Sequence, residues 1–241
     1  MLIRLSKCIA DSGLCSRRQA NRLIAAGDVT VAGIVASGNG WVEVDEYTSI
    51  TVAGTALAPV AEKHYLMYNK PIGIDCNYSS RADSLLKQIN FSTRLFPIGR
   101  LDKDSHGLLL LTNDGEFCQQ LMHPRYHHPK TYRVRVDKKL HGDFVIRMSQ
   151  GIEILDRVTQ ACQVTLINAV EFEIILTQGL NRQIRRMCKT LGYQVVDLKR
   201  IQILNIKLGN LAMGSWRLLQ NIELKTLETL QQNSTQVKTT K

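Results

Sequence analysis

The sequence predicts an α/β (α+β) protein in which a small helical-β domain precedes a larger α/β domain. The 241 residues suffice for one large domain plus a small one, and 44% of them are hydrophobic, which supports a sizeable core. Segments with helical spacing and segments with strand-like alternation follow one another, and Pro59 to Glu62 has the character of a linker. We therefore expect domains at residues 1–60 and 63–228, and a disordered polar tail at 229–241.

The first domain is predicted as two helices followed by short strands. Leu2, Leu5 and Ile9 recur at helical spacing, and a second helix begins at Ser16, a residue type that caps helix N-termini. Three short segments then alternate apolar and polar residues as strands do: Val29–Val31, Val42–Val44 and Ile50–Val52.

Basic side chains are concentrated on the two predicted helices. A cationic helix surface contacts phosphates with little reading of sequence, and the plain alternative is a solvated charged face. The candidate phosphate-contacting residues here are Arg4, Lys7, Arg17, Arg18 and Arg22.

The second domain alternates predicted strands with predicted helices. The predicted strands are 64–68, 130–136, 161–167, 172–177, 199–203 and a final stretch within 208–219. The predicted helices are 84–89, 114–122, 144–150 and one that begins near Asn181. The polar loop 75–83 carries little information.

Asp102 lies in a tight charged turn between two apolar runs. Gly99 and Gly107 bracket the turn and permit backbone geometry that other residues avoid. The apolar flanks place the carboxylate at the mouth of a core, and Arg100 beside it favours the charged form. Such a carboxylate can act as a nucleophile or a base, whereas the plain alternative is a structural turn residue.

The string from Gly99 to Asn113 resembles the G-R-L-D-x-x-[ST]-x-G-L-L-x-L-T-[NT] signature of RNA pseudouridine synthases of the small-subunit-A family, and every fixed position is met. The strings Lys103-Asp-Ser105 and Leu176 to Cys188 are similar to the subgroup of large-subunit pseudouridine synthase F. The resemblance implies a pseudouridine synthase fold with a mixed, mainly antiparallel sheet and flanking helices. It also implies isomerisation of a flipped-out uridine without a cofactor.

The same resemblance assigns a catalytic set of Asp102, Tyr132 and Arg185. Tyr132 matches the family's K-x-Y-x-V strand, which delivers a tyrosine to the active site, although packing is the usual role of a strand tyrosine. Arg185 matches the Q-[ILV]-[RK] motif, whose last residue pairs with the nucleophilic carboxylate. Arg100, Arg182 and Arg186 are assigned to RNA contacts. Lys70, in the matching N-K-P-x-G string, is assigned a mainly structural role.

The first domain resembles the S4-like RNA-binding module. The resemblance is carried by Arg4 to Lys7, by Ser16 to Arg18 and by Gly27 to Val31.

Charge and cysteine content fit these assignments. The net charge of +10 indicates a polyanionic partner, most often nucleic acid. The six cysteines form no CxxC or zinc pattern, and His123, His127 and His128 lack companions for a metal site. We expect reduced thiols, no metal, no nucleotide cofactor, no membrane segment, a cytoplasmic location and a monomer.

Two alternatives to a synthase of 23S rRNA stay open at this point. One is a non-catalytic S4-domain RNA-binding or ribosome-assembly protein, which would explain the basic charge but not the catalytic motifs. The other is a synthase that acts mainly on tRNA. An RNA methyltransferase is disfavoured because no glycine-rich cofactor loop follows a first strand.

Overall fold

The computed structural model describes residues 2–45, 48–77 and 81–236. The chain divides into two compact units. The first contains Met1–His64 together with Phe91–Phe96 and Thr112–Gly115, and the second contains the rest of the chain. Composition does not predict the two later segments of the first unit, because only tertiary contacts bring them there.

Within its described residues, 2–45 and 48–64 with the two later segments, the first unit contains two helices and six short strands. In chain order they are β1 (Leu2–Arg4), α1 (Leu5–Asp11), α2 (Arg17–Ala25), β2 (Val29–Val31), β3 (Ile34–Val35), β4 (Trp41–Glu43), β5 (Ile50–Val52) and β6 (Thr55–Ala56). Strands β3, β2, β5 and β6 form one sheet in that order, and β1 pairs with β4. The Ser16 cap is confirmed, since its side chain accepts a hydrogen bond from the Gln19 amide at 3.2 Å.

The prediction that the first helix includes Leu2 is wrong. Residues Leu2–Arg4 form a strand because they pair antiparallel with Trp41–Glu43, with Ile3 turned into the core. Helix α1 begins only at Leu5. Long-range pairing here overrides the helical spacing of the apolar residues.

The second unit contains eleven strands and five helices within the described residues. In chain order they are β7 (Tyr65–Lys70), α3 (Leu85–Gln88), β8 (Phe96–Ile98), β9 (His106–Thr112), α4 (Gly115–Met122), β10 (Lys130–Val136), α5 (Phe144–Ser149), β11 (Glu153–Ile154), β12 (Arg157–Val158), β13 (Gln163–Asn168), β14 (Glu171–Leu176), α6 (Gln183–Thr190), β15 (Val195–Ile203), β16 (Ile206–Lys207), β17 (Trp216–Leu218) and α7 (Asn221–Gln236).

The large sheet of the second unit has the strand order β13-β14-β10-β15-β9-β7-β17, with β16 beside β15 and β8 beside β9. Strand β15 runs parallel to β9 and antiparallel to β10, and β17 runs antiparallel to β7. The sheet is therefore mixed and mainly antiparallel, as the family resemblance implies. Strands β11 and β12 form a separate hairpin.

Two strands with different burial patterns, β9 and β10, show where the core lies. Strand β9 is buried along its whole length, which explains its continuous apolar run. Strand β10 alternates, with Val134 and Val136 buried and Arg133 and Arg135 exposed. One face of β10 and β14 therefore packs with α5 and α6 in a single apolar cluster.

The predicted disordered tail is wrong in part. Helix α7 continues to Gln236, and the paired Arg217 and Glu223 side chains anchor its first turn at 2.7 Å. Residues 237–241 of that tail, like 78–80 of the predicted loop 75–83, lie outside the described residues.

Candidate active site

The turn that carries Asp102 connects β8 to β9. The Ser105 amide donates to the Asp102 carbonyl at 3.0 Å, which closes a tight turn over residues 102–105. Leu101 is buried, and the Asp102 side chain is partly exposed. Sequence therefore predicts the placement correctly: a carboxylate at the mouth of a core.

Gly107 marks the point where this turn joins the sheet. Its φ is +101°, and a Cβ at this position would lie 2.3 Å from the Arg200 carbonyl oxygen. Strands β9 and β15 meet there in register, Gly107 opposite Arg200. Glycine is required because the two backbones approach too closely for a side chain.

Lys70 supports the turn from inside the protein. It is fully buried, and its ammonium donates to the carbonyls of Ser105 at 2.8 Å and Pro71 at 2.9 Å. Burial lowers the pKa of Lys70, while nearby acidic groups, Asp104 and Asp102 among them, act in the opposite direction. These contacts support the structural role predicted for Lys70.

Arg200 holds both ends of the same turn. Only 2% of this residue is exposed. Its Nε donates to the Leu108 carbonyl at 2.7 Å, and its Nη1 donates to the Arg100 carbonyl at 3.4 Å. The carbonyls before and after Asp102 are thus joined through one buried guanidinium.

Arg185 approaches the turn from α6. Its Nη2 donates to the Asp104 carbonyl at 2.7 Å and to Ser105 Oγ at 3.2 Å, while Nη1 donates to the Val195 carbonyl at 3.2 Å. Its Nε lies 3.4 Å from Asp104 Oδ2, which is a charge contact without a hydrogen bond. Arg185 therefore joins the turn, α6 and β15.

The carboxylate of Asp104 contacts two arginines, Arg182 and Arg185. Arg182 donates to both carboxylate oxygens of Asp104, at 3.0 and 2.6 Å, in the bidentate geometry that suits a guanidinium. Burial alone would raise the pKa of Asp104, but hydrogen bonds from Arg182 and the charges of Arg185 and Arg182 hold it below its ordinary value. Arg182 also has a left-handed φ of 50°, an uncommon conformation for a residue with a side chain.

The expected direct ion pair between Asp102 and Arg185 is wrong for this conformation. Within the described ranges, the carboxylate that lies within 4.0 Å of Arg185 belongs to Asp104. The reason is geometric, because Arg185 reaches the far side of the turn, where Asp104 and Ser105 lie. Asp102 instead interacts electrostatically with Lys70 and Arg182.

Tyr132 is placed near the turn by sheet register. It lies opposite Arg200 on β15, which in turn lies opposite Gly107 on β9. Adjacent strands are about 4.8 Å apart, so Tyr132 and Gly107 are separated by roughly 10 Å across the sheet. The register of β10 against β15 shifts between Thr131 and Tyr132, and irregularities of this kind are common beside active sites. Its ring is partly buried against the core.

A cavity of about 310 Å³ opens on the other side of Arg185. It is lined by Arg185, Lys189, Tyr193, Gln194 and Val195. Neither Asp102 nor Tyr132 is among these residues, so this cavity does not bring the three predicted catalytic residues together.

The other residues predicted to contact RNA differ in exposure and in whether another residue already binds them. Arg100 is exposed beside Asp102. Arg186 donates to the Asn181 carbonyl and side chain, so Asn181 binds this arginine and is not the helix N-cap. In the first unit Arg4, Arg17, Arg18 and Arg22 are exposed. Lys7 is bound to Asp11 at 2.8 Å.

Sequence reasoning missed Asp104 and Arg200. Asp104 had a detectable signal, because it lies two residues from Asp102 in a turn rich in charge. Arg200 lies two residues after buried Leu198 in β15, so both side chains point to the same buried face of the strand. Such a buried charge needs partners, which is a signal of function or support.

Comparisons with known proteins show the family of this chain. A family model described as RNA pseudouridylate synthase matches residues 64–190, and one described as S4 domain matches residues 3–39. The chain is 40% identical over 235 residues to the dual-specificity RNA pseudouridine synthase RluF of Escherichia coli K12, covering 96% of this chain and 80% of that one. It is 35% identical over 239 residues to the ribosomal large subunit pseudouridine synthase B of Bacillus subtilis, covering 94% and 96%.

A solved structure has the same fold. A crystal structure of a pseudouridylate synthase superposes with a TM-score of 0.68 at 28% identity, covering 93% of this chain and 99% of that chain. In the described part of the chain, no helix is both long and apolar enough to cross a bilayer. The same residues contain no group of three or more His, Cys, Asp or Glu side chains arranged to hold a metal.

Proposed function

Since the chain belongs to the family of RNA pseudouridine synthases, we propose that it isomerises a specific uridine of 23S rRNA and that Asp102 is the catalytic carboxylate. The observation that carries this proposal is the support of the Asp102 turn. Lys70, Arg185 and Arg200 come from three different elements. Lys70 and Arg185 donate to backbone carbonyls within the turn, and Arg200 donates to the carbonyls of Arg100 and Leu108 on either side of it. These donors fix the backbone that carries Asp102, and a fixed backbone supports the defined geometry that a catalytic group requires.

The reaction needs a carboxylate, a platform and cations. The N1–C1′ bond of the uridine breaks, the uracil turns, and a C5–C1′ bond forms, while C5 loses a proton and N1 gains one. Asp102 supplies the anion, either by attack on the sugar or by proton transfer. Because product and substrate are isomers, the step consumes no oxidant or energy source.

Tyr132 and Arg185 complete the catalytic set in this proposal. Tyr132 offers its ring as a platform for the uracil, supported by its position at the register shift of β10. Arg185 keeps the Asp102 turn fixed to α6. Exposed Arg100, and Arg182 once released from Asp104, are placed to contact phosphates of the flipped nucleotide.

RNA is recruited by the S4 domain in this proposal. The exposed Arg17, Arg18 and Arg22 of α2 contact phosphates, with Arg4 and Lys7 beside them. The enzyme works as a monomer in the cytoplasm, which sedimentation and cell fractionation test.

The substrate assignment rests on relatives. One is named for the large ribosomal subunit and another for dual specificity. We therefore infer 23S rRNA as the main substrate and a tRNA uridine as a second one. Mapping pseudouridines in rRNA and tRNA from cells with and without the gene tests both. A map in which neither RNA loses a pseudouridine would contradict the assignment.

Asp102→Asn tests the catalytic role directly. The amide keeps the size but removes the charge, so release of tritium from C5-labelled uridine should fall below detection while RNA affinity stays within about two-fold. Tyr132→Phe keeps the ring, so it should bind RNA as well and should lose turnover if the hydroxyl moves a proton. An Asp102→Asn enzyme that turns over at the normal rate would overturn the proposal.

A further inference from the structure

The two-stranded sheet of the first unit has a face with two exposed apolar side chains that the phosphate-binding role of the helices does not explain. Register places Leu2 opposite Glu43 and Arg4 opposite Trp41, so these four side chains share one face. The opposite face, with Ile3, enters the core. Leu2 is 65% exposed and Trp41 is 59% exposed. Such large apolar exposure at one place marks an interaction site.

The backbone beneath Trp41 is held firmly. The Leu5 amide donates to the Gly40 carbonyl at 3.0 Å, and the Ser6 amide donates to Asn39 Oδ1 at 2.9 Å. These bonds join the segment before Trp41 to the start of α1. The exposed indole is therefore carried by a fixed backbone, which lowers the entropy cost of binding through it.

One face of the indole is covered by a cation. The Arg4 guanidinium carbon lies 5.0 Å from the Trp41 ring centroid, and Arg4 Nη1 donates to the Asn39 carbonyl at 3.0 Å. An aromatic ring beside a fixed guanidinium combines a surface for stacking with a donor for phosphate. This pair of chemical features matches a nucleotide.

Because residues 1–60 carry no net charge, this domain needs a contact with RNA that does not depend on charge. Residues 1–60 contain five Lys or Arg and five Asp or Glu, so the whole excess of ten positive charges lies in residues 61–241. A domain without net charge gains little from long-range attraction to RNA. It therefore needs local phosphate contacts on α2 and contacts that do not depend on charge.

We propose that Trp41 and Arg4 form a stacking site for an unpaired base of the RNA substrate. The base stacks on the exposed part of the indole, and Arg4 contacts its phosphate. Arg4 lies within the residues 3–39 that match the S4 family model and Trp41 lies outside them, so the stacking surface is the part of the site that is additional to that match. The inference rests on the proposed function only in taking RNA as the ligand.

Tryptophan fluorescence tests the contact itself. The chain has two tryptophans, so Trp216→Phe leaves Trp41 as the single reporter. The probes are an RNA stem-loop with an unpaired loop and a blunt duplex of the same stem. We expect the stem-loop to quench Trp41 emission and the duplex to leave it unchanged. Equal quenching by both, or no quenching during saturable binding, would overturn the proposal.

Affinity measurements test the energetic role. Stacking of one base corresponds to a change of about five-fold to a hundred-fold in affinity, so Trp41→Ala should weaken stem-loop binding roughly ten-fold. Trp41→Phe retains an aromatic ring and should lose only a few-fold. Ile34→Ala is the matched control, because Ile34 is an apolar residue of the same domain that is 74% exposed.

Salt dependence separates stacking from phosphate contact. The slope of the logarithm of affinity against the logarithm of salt concentration should be unchanged in Trp41→Ala, because no charge is removed. If Trp41→Ala binds as well as Ile34→Ala, the proposal is wrong. It is also wrong if the wild type self-associates in sedimentation and Trp41→Ala alone abolishes that association, since the face is then a contact between protein copies.

Failure of this inference is distinguishable from failure of the proposed function. If the wild-type enzyme makes pseudouridine but its RNA affinity does not depend on Trp41, only the stacking site is refuted. If the enzyme binds the stem-loop through Trp41 but releases no tritium from C5-labelled uridine, only the catalytic assignment is refuted.

Discussion

At the scale of single residues, Asp104 is the side chain on which the arrangement of the site depends most. Its carboxylate binds Arg182, and its carbonyl binds Arg185. Asp102, two residues earlier, has no comparable pair among the described contacts. Arg185, the arginine expected to pair with Asp102, is therefore bound by the neighbouring Asp104.

Asp104→Asn should lower turnover about ten-fold with little change in KM, because small displacements of reacting groups are costly to the chemical step. Stability should fall by less than about 1 kcal/mol, since the Arg182 and Asp104 side chains are 42% and 45% exposed. Steady-state kinetics and urea unfolding check these two results. Asp143→Asn, which removes another carboxylate that binds an arginine, is the control.

The stability difference between wild type and Asp104→Asn should depend on pH with a definite sign. The pKa of Asp104 is held below its ordinary value of 3.8, so its contribution to stability is complete above that value and is lost as pH falls through the folded pKa. The stability difference between wild type and Asp104→Asn should therefore shrink only in strong acid. A difference that instead disappears near neutral pH would contradict this assignment.

At the scale of elements, the contact between β9 and β15 determines where the Asp102 turn ends and β9 begins. Gly107→Ala should destabilise the protein by about 3 kcal/mol or more, because the new Cβ would lie 2.3 Å from the Arg200 carbonyl and φ is +101°. Gly192→Ala is the matched control, with φ of +84° and open space around it. It should cost only about 1–2 kcal/mol. Denaturant unfolding of both variants measures the difference, and equal losses would refute the steric argument.

Strand β10 carries a partly buried lysine, Lys130, whose charge opposes folding. Burial, with a smaller effect of Arg200, lowers the pKa of Lys130 from 10.5 to about 8. Between these values the unfolded chain binds more protons than the folded one, so stability from this group rises with pH. Relative to Lys130→Met, the wild type should gain up to roughly 3 kcal/mol between pH 8 and 10.5.

Unfolding titrations at several pH values check this prediction for Lys130. Lys207→Met, at an exposed site, serves as the control and should leave the pH profile of stability unchanged. A wild-type profile parallel to that of Lys130→Met would show that Lys130 is not perturbed.

At the scale of the whole molecule, the proposed function assigns RNA recruitment and chemistry to different parts of the chain. The combined variant Arg17→Gln, Arg18→Gln and Arg22→Gln should reduce the salt slope of RNA binding by about 2 to 3, since each phosphate contact contributes about 0.7 to 0.9. Turnover at saturating RNA should be unchanged, because none of the three lies in the Asp102 turn. Filter binding across salt concentrations checks the slope, with the exposed Arg157→Gln as the control. An unchanged slope would remove α2 from the RNA interface.

Local sequence features determined many elements of the fold. Strand β10 was predicted with its observed bounds, Lys130–Val136, because one buried face enforces alternation. The Ser16 cap and the special geometry at Gly99 and Gly107 were predicted because capping and positive φ depend on the residue itself. Motif resemblance supplied the family, the fold class and the candidate residues.

Tertiary structure alone decided which partners these residues have. Leu2–Arg4 became a strand because β4 lies beside it, which helical spacing does not reveal. Arg185 binds the Asp104 side of the turn because the course of α6 brings it there. Sequence determines what each charge can bind, but the partner is chosen by register and helix placement, which depend on contacts between distant segments.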